Sequence, residues 1–172
     1  AAKLGWIDGI MLSYNYRLMF SKEMKAAVEA CTKAGIGLTA MKTQAKGPSE
    51  SAEQEAELLG RFLAKGFSDA QARLKAVWTN PSIASICSQM PNMNILMSNI
   101  AAAMDKTKLS EEELKLMEQN AKETASSYCA GCSDICQRAG GGDVPICDVL
   151  RYMMYYNSYG DRERARQLFA DL

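Results

Sequence analysis

Three short apolar runs, Ile7–Leu12, Ile36–Met41 and Ile83–Cys87, constrain the fold of this chain more than any other feature. Each is too short for a helix, and each is followed by residues whose apolar positions recur at helical spacing. The segment Ser21–Ala34 puts Met24, Ala27, Val28 and Cys31 on one face, and Gly35 suits a left-handed stop. A polar loop, 42–50, leads to a helix with a Ser51/Gln54 capping box and an apolar face of Leu58, Leu59 and Phe62. A second box, Ser68 with Gln71, opens a helix that carries Leu74, Val77 and Trp78 and stops at Asn80-Pro81. After the third run a helix starts near Asn92, with Ile95, Leu96, Asn99 and Ile100 at helical intervals. Apolar strands alternating with helices predict parallel strands buried on both faces and joined by right-handed crossovers. Three such strands cannot close a barrel and leave two bare edges. The expected fold class is therefore α/β and incomplete, with a missing stretch of chain or a partner subunit covering the edges.

Residues 109–172 read differently, as a helical extension. Ser110 and Glu113 form a capping box, Leu114, Met117 and Ala121 supply one apolar face, and Glu111–Lys115 and Glu118–Lys122 are favourable i,i+4 pairs. A cysteine-bearing loop with Gly140-Gly141-Gly142 follows, then two short helices, Ile146 to about Asn157 and about Asp161 to Leu172. Two regions result: 1–108, a partial barrel, and 109–172, the extension.

Composition excludes several classes. Lys plus Arg and Asp plus Glu are 20 each, so the basic excess that a nucleic-acid binder uses against phosphates is missing. No apolar run approaches the roughly 20 residues that span a bilayer. There is no histidine, which removes the commonest general base and zinc ligand. The sequence begins Ala1-Ala2-Lys3 with neither Met nor a signal-peptide pattern, and upstream residues are expected, an export signal among the options.

Cys129, Cys132, Cys136 and Cys147 fall within one short stretch. A disulfide scaffold would spread its cysteines, so the pattern favours a reducing compartment, the cytoplasm, or a metal site. Four thiolates on one loop suit an iron–sulfur cluster of the 4Fe-4S type, although the Cys132–Cys136 interval is one residue longer than in the ferredoxin run and the closing Cys-Pro is absent. Zinc, a redox-active Cys129–Cys132 pair, or free and packed thiols fit the same residues. Cys31 and Cys87 read as small buried hydrophobes, and the methionines from Met90 to Met97, with Met153 and Met154, as core fillers. Tyr152, Tyr155, Tyr156 and Tyr159 read as packing of the tail onto the barrel, and Arg162, Arg164 and Arg166 as a solvated face.

The segments 8–15 (Asp-Gly-Ile-Met-Leu-Ser-Tyr-Asn), 35–42 (Gly-Ile-Gly-Leu-Thr-Ala-Met-Lys), Asn80-Pro81-Ser82-Ile83, Asn92–Asn99 and Leu109–Leu114 together resemble the second half of an aldo/keto reductase, over about residues 4–120. The tail resembles the cysteine-containing extension of a subgroup of that family. The resemblance implies the C-terminal part of a (β/α)8 TIM barrel, about three strand–helix units, from an oxidoreductase that reduces carbonyls with NADP(H). It implies no catalytic residue here, because the Tyr, Lys, Asp and His of that family lie in the first half of the barrel; the chain alone is expected to be inactive. The cofactor positions that carry over are Met41, Lys42, Lys46 and Asn99, with the lysines toward the pyrophosphate and Asn99 near the adenine. Departures weaken NADP selectivity: Met11 replaces a Gln, Ser88-Gln89 replaces Pro-Gly, and Met90 and Leu96 stand where basic residues would grip the 2′-phosphate. A non-catalytic structural or interaction subunit, or an electron-transfer module working through the cysteine tail, are the competing readings.

Overall fold

The computed structural model describes residues 1–45, 61–125, 128–142 and 144–172. Lys46 and the expected helix over Ser51, Gln54, Leu58 and Leu59 lie outside them. Two compact units are present, one ending at Lys122 and one running from Glu123 to Leu172.

The first unit is built on a three-stranded parallel sheet, β1 (Gly9–Ser13), β2 (Gly37–Met41) and β3 (Ile83–Ile86), in the order β1-β2-β3. Ile10 pairs with Leu38 and Leu12 with Ala40, so β1 and β2 run in register along their length. Between β2 and β3 the register shifts: Leu38 pairs with Ile83 but Thr39 with Ser85, which leaves Ala84 as an extra residue. Helix α1 (Lys22–Lys33) starts where expected, with the Ser21 hydroxyl accepting from the Met24 N–H at 3.1 Å. Helix α2 (Asp69–Trp78) has both halves of its capping box, and Asn92 caps α3 (Met93–Met104) through the Ile95 N–H. Helix α4 (Glu111–Glu123) carries the Ser110/Glu113 box and the buried face Met117 and Ala121.

The strands are not buried on both faces. Leu38, Ala40 and Ile83 are covered, packing in the core with Val28, Phe62, Leu74 and Val77, whereas Met11 is 56% exposed and Thr39 and Ser85 bond hydroxyl to hydroxyl at 2.7 Å on an exposed face. Consecutive right-handed crossovers put every helix on one side of a sheet in this order, and the other side has nothing from these helices to cover it. Such a one-sided sheet is consistent with a segment of a parallel barrel. Helix α3 also departs from expectation: only Ala102 is buried, and Met93 and Met97 are exposed rather than filling a core, as are Ile100 and Met104 along the same helix. Cys87, expected buried, is exposed, and Cys31 is half-buried.

The second unit holds α5 (Ser133–Ala139), α6 (Ile146–Asn157) and α7 (Arg162–Ala170). Helix α5 occupies part of the expected loop. Helices α6 and α7 pack through Met154 and Ala165, both buried. Tyr155 meets Tyr159 at 5.6 Å between centroids, and Arg162 and Arg166 lie over the Tyr156 ring while Arg164 lies over Tyr155. All three arginines are exposed, as expected of a solvated face, and their guanidinium groups also lie over the two rings. No helix among the described residues is long and apolar enough to cross a membrane.

Candidate functional site

In parallel α/β sheets the loops at the carboxyl ends of the strands carry binding sites. Here those loops follow Ser13, Met41 and Ile86, and the one after β2 is the most constrained. Lys42 (φ 56°) and Ala45 (φ 40°) both take the left-handed conformation, which L-residues other than glycine adopt at a cost of roughly 1–2 kcal/mol each. Side chains from neighbouring elements hold the loop there. Asn15 Nδ2 donates to the Lys42 carbonyl at 3.1 Å, the Arg73 guanidinium to the Gln44 carbonyl at 2.8 Å, and Arg17 Nε to the Ala45 carbonyl at 3.1 Å. Gln44 Nε2 returns a bond to the Ala70 carbonyl at 3.3 Å.

These latches are themselves fixed. Asn15 is fully buried, and its Oδ1 accepts from the N–H groups of Arg17 and Leu18 at 3.0 and 3.2 Å, an Asx turn that closes the chain leaving β1. Tyr16, also buried, lies between Arg17 and Arg73, whose guanidinium carbons are 5.1 and 5.6 Å from its ring centroid. Asp69 neutralises Arg73 at 2.6 Å. The result is an ordered turn with the Lys42 side chain exposed at its apex and Thr43 buried beneath it.

The loop after β3 is tied more lightly. The Cys87 N–H donates to the Ala40 carbonyl at 2.8 Å, Asn99 Nδ2 donates to Ser88 Oγ at 3.3 Å, and Gln71 Nε2 reaches the Ser98 carbonyl at 3.1 Å. Asn99 therefore spends part of its amide on the strand-to-helix loop. Met41 ends β2, half-buried, on the same row as Ser13. Of the four residues expected to face a cofactor, Met41 and Lys42 are adjacent at the end of β2, Asn99 stands on α3 against the β3 loop, and Lys46 is outside the described residues.

Burial pushes the Tyr14 phenol up, partly offset by the bond that Asn80 Nδ2 donates to its oxygen at 2.9 Å. At 2% exposure it cannot reach a substrate on the open face. A cavity of about 670 Å³ lined by Trp78, Pro81, Ala102 and Leu109 sits where α2 and α3 end, at the opposite end of the strands. There Lys75 is saturated by the Asp105 carbonyl and carboxylate and the Thr107 carbonyl, at 2.9 to 3.0 Å, which makes this end a structural tie.

The cysteines of the second unit come only partly together. The Cys129 N–H donates to Met154 Sδ at 3.3 Å, which anchors it on α6. Cys136 lies on α5 and Cys147 in the first turn of α6; the two helices meet so closely that a β-carbon on Gly140 would overlap Ile146. Burial first, then the neighbouring Cys129 sulfur, Asp148 and Cys136, push the Cys147 thiol up. Cys132, exposed, occupies the N-cap of α5. Among the described residues no three Cys, Asp or Glu side chains converge as a metal-holding group. As placed, the four sulfurs do not fit a cluster that needs all of them at one centre.

The grip on the β2 loop by Asn15, Tyr16, Arg17 and Arg73 was not anticipated from sequence. The dense polar run directly after a strand, Ser13-Tyr14-Asn15-Tyr16-Arg17, was the available signal.

No protein-family model and no curated protein matches the chain. Among solved structures it is similar to a thermostable aldo-keto reductase, Tm1743, crystallised in complex with the inhibitor epalrestat: 24% identity, TM-score 0.52, over 65% of this chain. The chain spans 39% of that reductase's length. What the likeness establishes is fold: the chain has an α/β fold similar to that of an aldo-keto reductase.

Proposed function

We propose that residues 1–108 are the C-terminal part of an aldo/keto-reductase-type barrel and that their β2 and β3 loops form the dinucleotide-facing wall of an NADP(H)-linked oxidoreductase. The observation that carries this reading is the β2 loop: two left-handed residues are held by three side-chain latches, with an exposed lysine at the apex. Local strain maintained by a buried scaffold is characteristic of ligand clamps. Lys42, with Lys46, would meet the pyrophosphate, Met41 the nicotinamide side, and Asn99 the adenine side. The bound cofactor would supply hydride chemistry, while this chain binds and orients it. Proton donation to the carbonyl would come from the rest of the barrel, upstream in the same polypeptide or in a partner subunit, so the chain by itself is inactive. Six free cysteines support a reducing compartment such as the cytoplasm.

Titrating NADPH into the ¹⁵N-labelled chain tests this. The reading expects amide shifts concentrated at Lys42, Thr43, Ser88 and Asn99, weakened in Lys42→Glu. No shifts, or shifts scattered away from both loops, would leave the non-catalytic scaffold as the better account.

A second reading, a metal centre on the tail, draws on the four cysteines that fall within one short stretch of the sequence. Iron, acid-labile sulfide and zinc analysis of the purified chain decides it. A stoichiometric cluster would require Cys132 to leave its position at the α5 N-terminus, and metal-free protein would dismiss this reading.

A further inference from the structure

The α6–α7 hairpin contains a slot that the barrel reading does not use. It has a volume of about 230 Å³, with Val149, Met153 and Phe169 as walls and buried Ala165 as floor. Its rim is cationic. Arg166 lines it and donates to the Tyr156 hydroxyl at 3.4 Å, a weak bond, and both Arg162 and Arg166 stack over the Tyr156 ring at 5.4 and 5.5 Å. Arg164, by contrast, has Asp161 at 4.0 Å, while neither Arg162 nor Arg166 has a carboxylate within ion-pair reach among the described residues. Stacking on a ring occupies the face of a guanidinium and leaves its in-plane N–H groups able to fork onto a carboxylate. Met153 and Phe169 are 53% and 59% exposed, so the apolar walls open to solvent beside that charge.

We infer that this slot binds a small apolar monocarboxylate, with its hydrocarbon between Met153 and Phe169 and its carboxylate on Arg166, while Arg162, stacked on the same Tyr156 ring outside the lining, adds positive charge nearby. The volume selects the occupant. It is below the roughly 300 Å³ at which drug-sized pockets begin and far too small for a helix, so a chain of about eight carbons or a single arene fits it. The charge selects the headgroup, because a guanidinium lining the slot with no carboxylate in ion-pair reach among the described residues favours an anion over a neutral polar end.

The test uses the full 172-residue chain with ¹³C-methyl methionine, titrated with octanoate and separately with octanamide. The Met153 methyl, assigned through Met153→Leu, is expected to shift with octanoate. Octanamide should bind at least about tenfold more weakly, and Arg166→Gln should cost octanoate a similar factor while leaving the amide unaffected. Arg162→Gln provides a second charge variant if Arg166→Gln does not fold. Equal affinity for acid and amide would overturn the inference, as would an unmoved Met153 methyl at millimolar octanoate. A Met153 shift that follows protein concentration rather than octanoate would assign the slot to a second copy of the chain and overturn it equally.

Discussion

Replacing Asn15 by alanine removes the buried side chain that joins the β1 exit to the β2 loop. At least three hydrogen bonds are lost: one donated to the Lys42 carbonyl, and two accepted from the N–H groups of Arg17 and Leu18. At about 1 kcal/mol net for each, the sum is about 3 kcal/mol, and release of the left-handed strain at Lys42 returns up to about 1 kcal/mol of it. A loss of 2 to 3 kcal/mol, roughly, is a large part of the ~5–15 kcal/mol that stabilises an ordinary domain, and corresponds to a melting temperature lower by about 4–12 °C for a chain of this length. Urea unfolding of parent and Asn15→Ala, followed by circular dichroism, measures it. Asn15→Asp is the informative control: it keeps the acceptor for Arg17 and Leu18 but turns a carboxylate toward the Lys42 carbonyl. It should resemble the alanine variant at neutral pH and recover part of the loss below about pH 4, where the carboxyl regains a proton to donate. If Asn15→Ala lies within 1 kcal/mol, roughly, of the parent, the loop is not held by this residue and the argument for a preorganised turn fails.

Lys42→Gly should have the opposite sign, stabilising the chain by about 1 kcal/mol because glycine adopts φ 56° without strain, while abolishing any NADPH-induced shift at the loop. A destabilised glycine variant would mean that Lys42 contributes more through packing than it costs in strain. Glu113 provides a pH dependence. Burial raises its carboxyl pKa, but bonds from Lys65 at 2.7 Å and the Ser110 N–H at 2.6 Å outweigh that and hold it below the usual value of 4.5. A depressed carboxylate contributes stability above its unfolded pKa and loses it as pH falls through the folded one. Melting curves of the parent should therefore show an acid-side loss beginning near pH 4.5 that Glu113→Gln lacks; parallel curves would contradict the assignment. In the tail, Cys147 should be alkylated more slowly by iodoacetamide at pH 8 than exposed Cys132, and Cys129→Ser should narrow the gap. Equal rates would mean that the Cys129 sulfur does not influence Cys147.

Much of the architecture was legible because local rules and tertiary structure agree. Ser21, Ser68 with Gln71, Asn92 and Ser110 with Glu113 start their helices as side-chain caps should, and the three apolar runs form parallel strands in chain order, though β1 begins at Gly9 rather than Ile7. Hydrophobic periodicity reports which residues are apolar, not what covers them. Met11, Cys87 and the methionines Met90, Met93 and Met97 therefore read as core and are exposed, because the described helices cover one face of the sheet and leave their outer flank open. The latches on the β2 loop escaped notice because Lys42 and Ala45 give no glycine or asparagine signal of a left-handed turn, and because Arg73 reaches it from 29 residues away. Cysteine spacing likewise carried chemistry without geometry: the place of Cys132 at the α5 N-cap position is set by where that helix begins, which the spacing does not encode.

The open face of the sheet is the feature on which the partial-barrel account depends, and methionine oxidation reads it without any mutation. Limited peroxide treatment of the native chain, followed by peptide mass spectrometry, compares Met11 with exposed Met93 and Met104 and with buried Met19 and Met117. If the sheet is one-sided, Met11 forms sulfoxide at a rate close to those of Met93 and Met104 and far ahead of Met19 and Met117. Met11 as protected as Met117 would mean that the chain closes its own sheet, and the account of it as an open segment of a reductase-like barrel would be wrong.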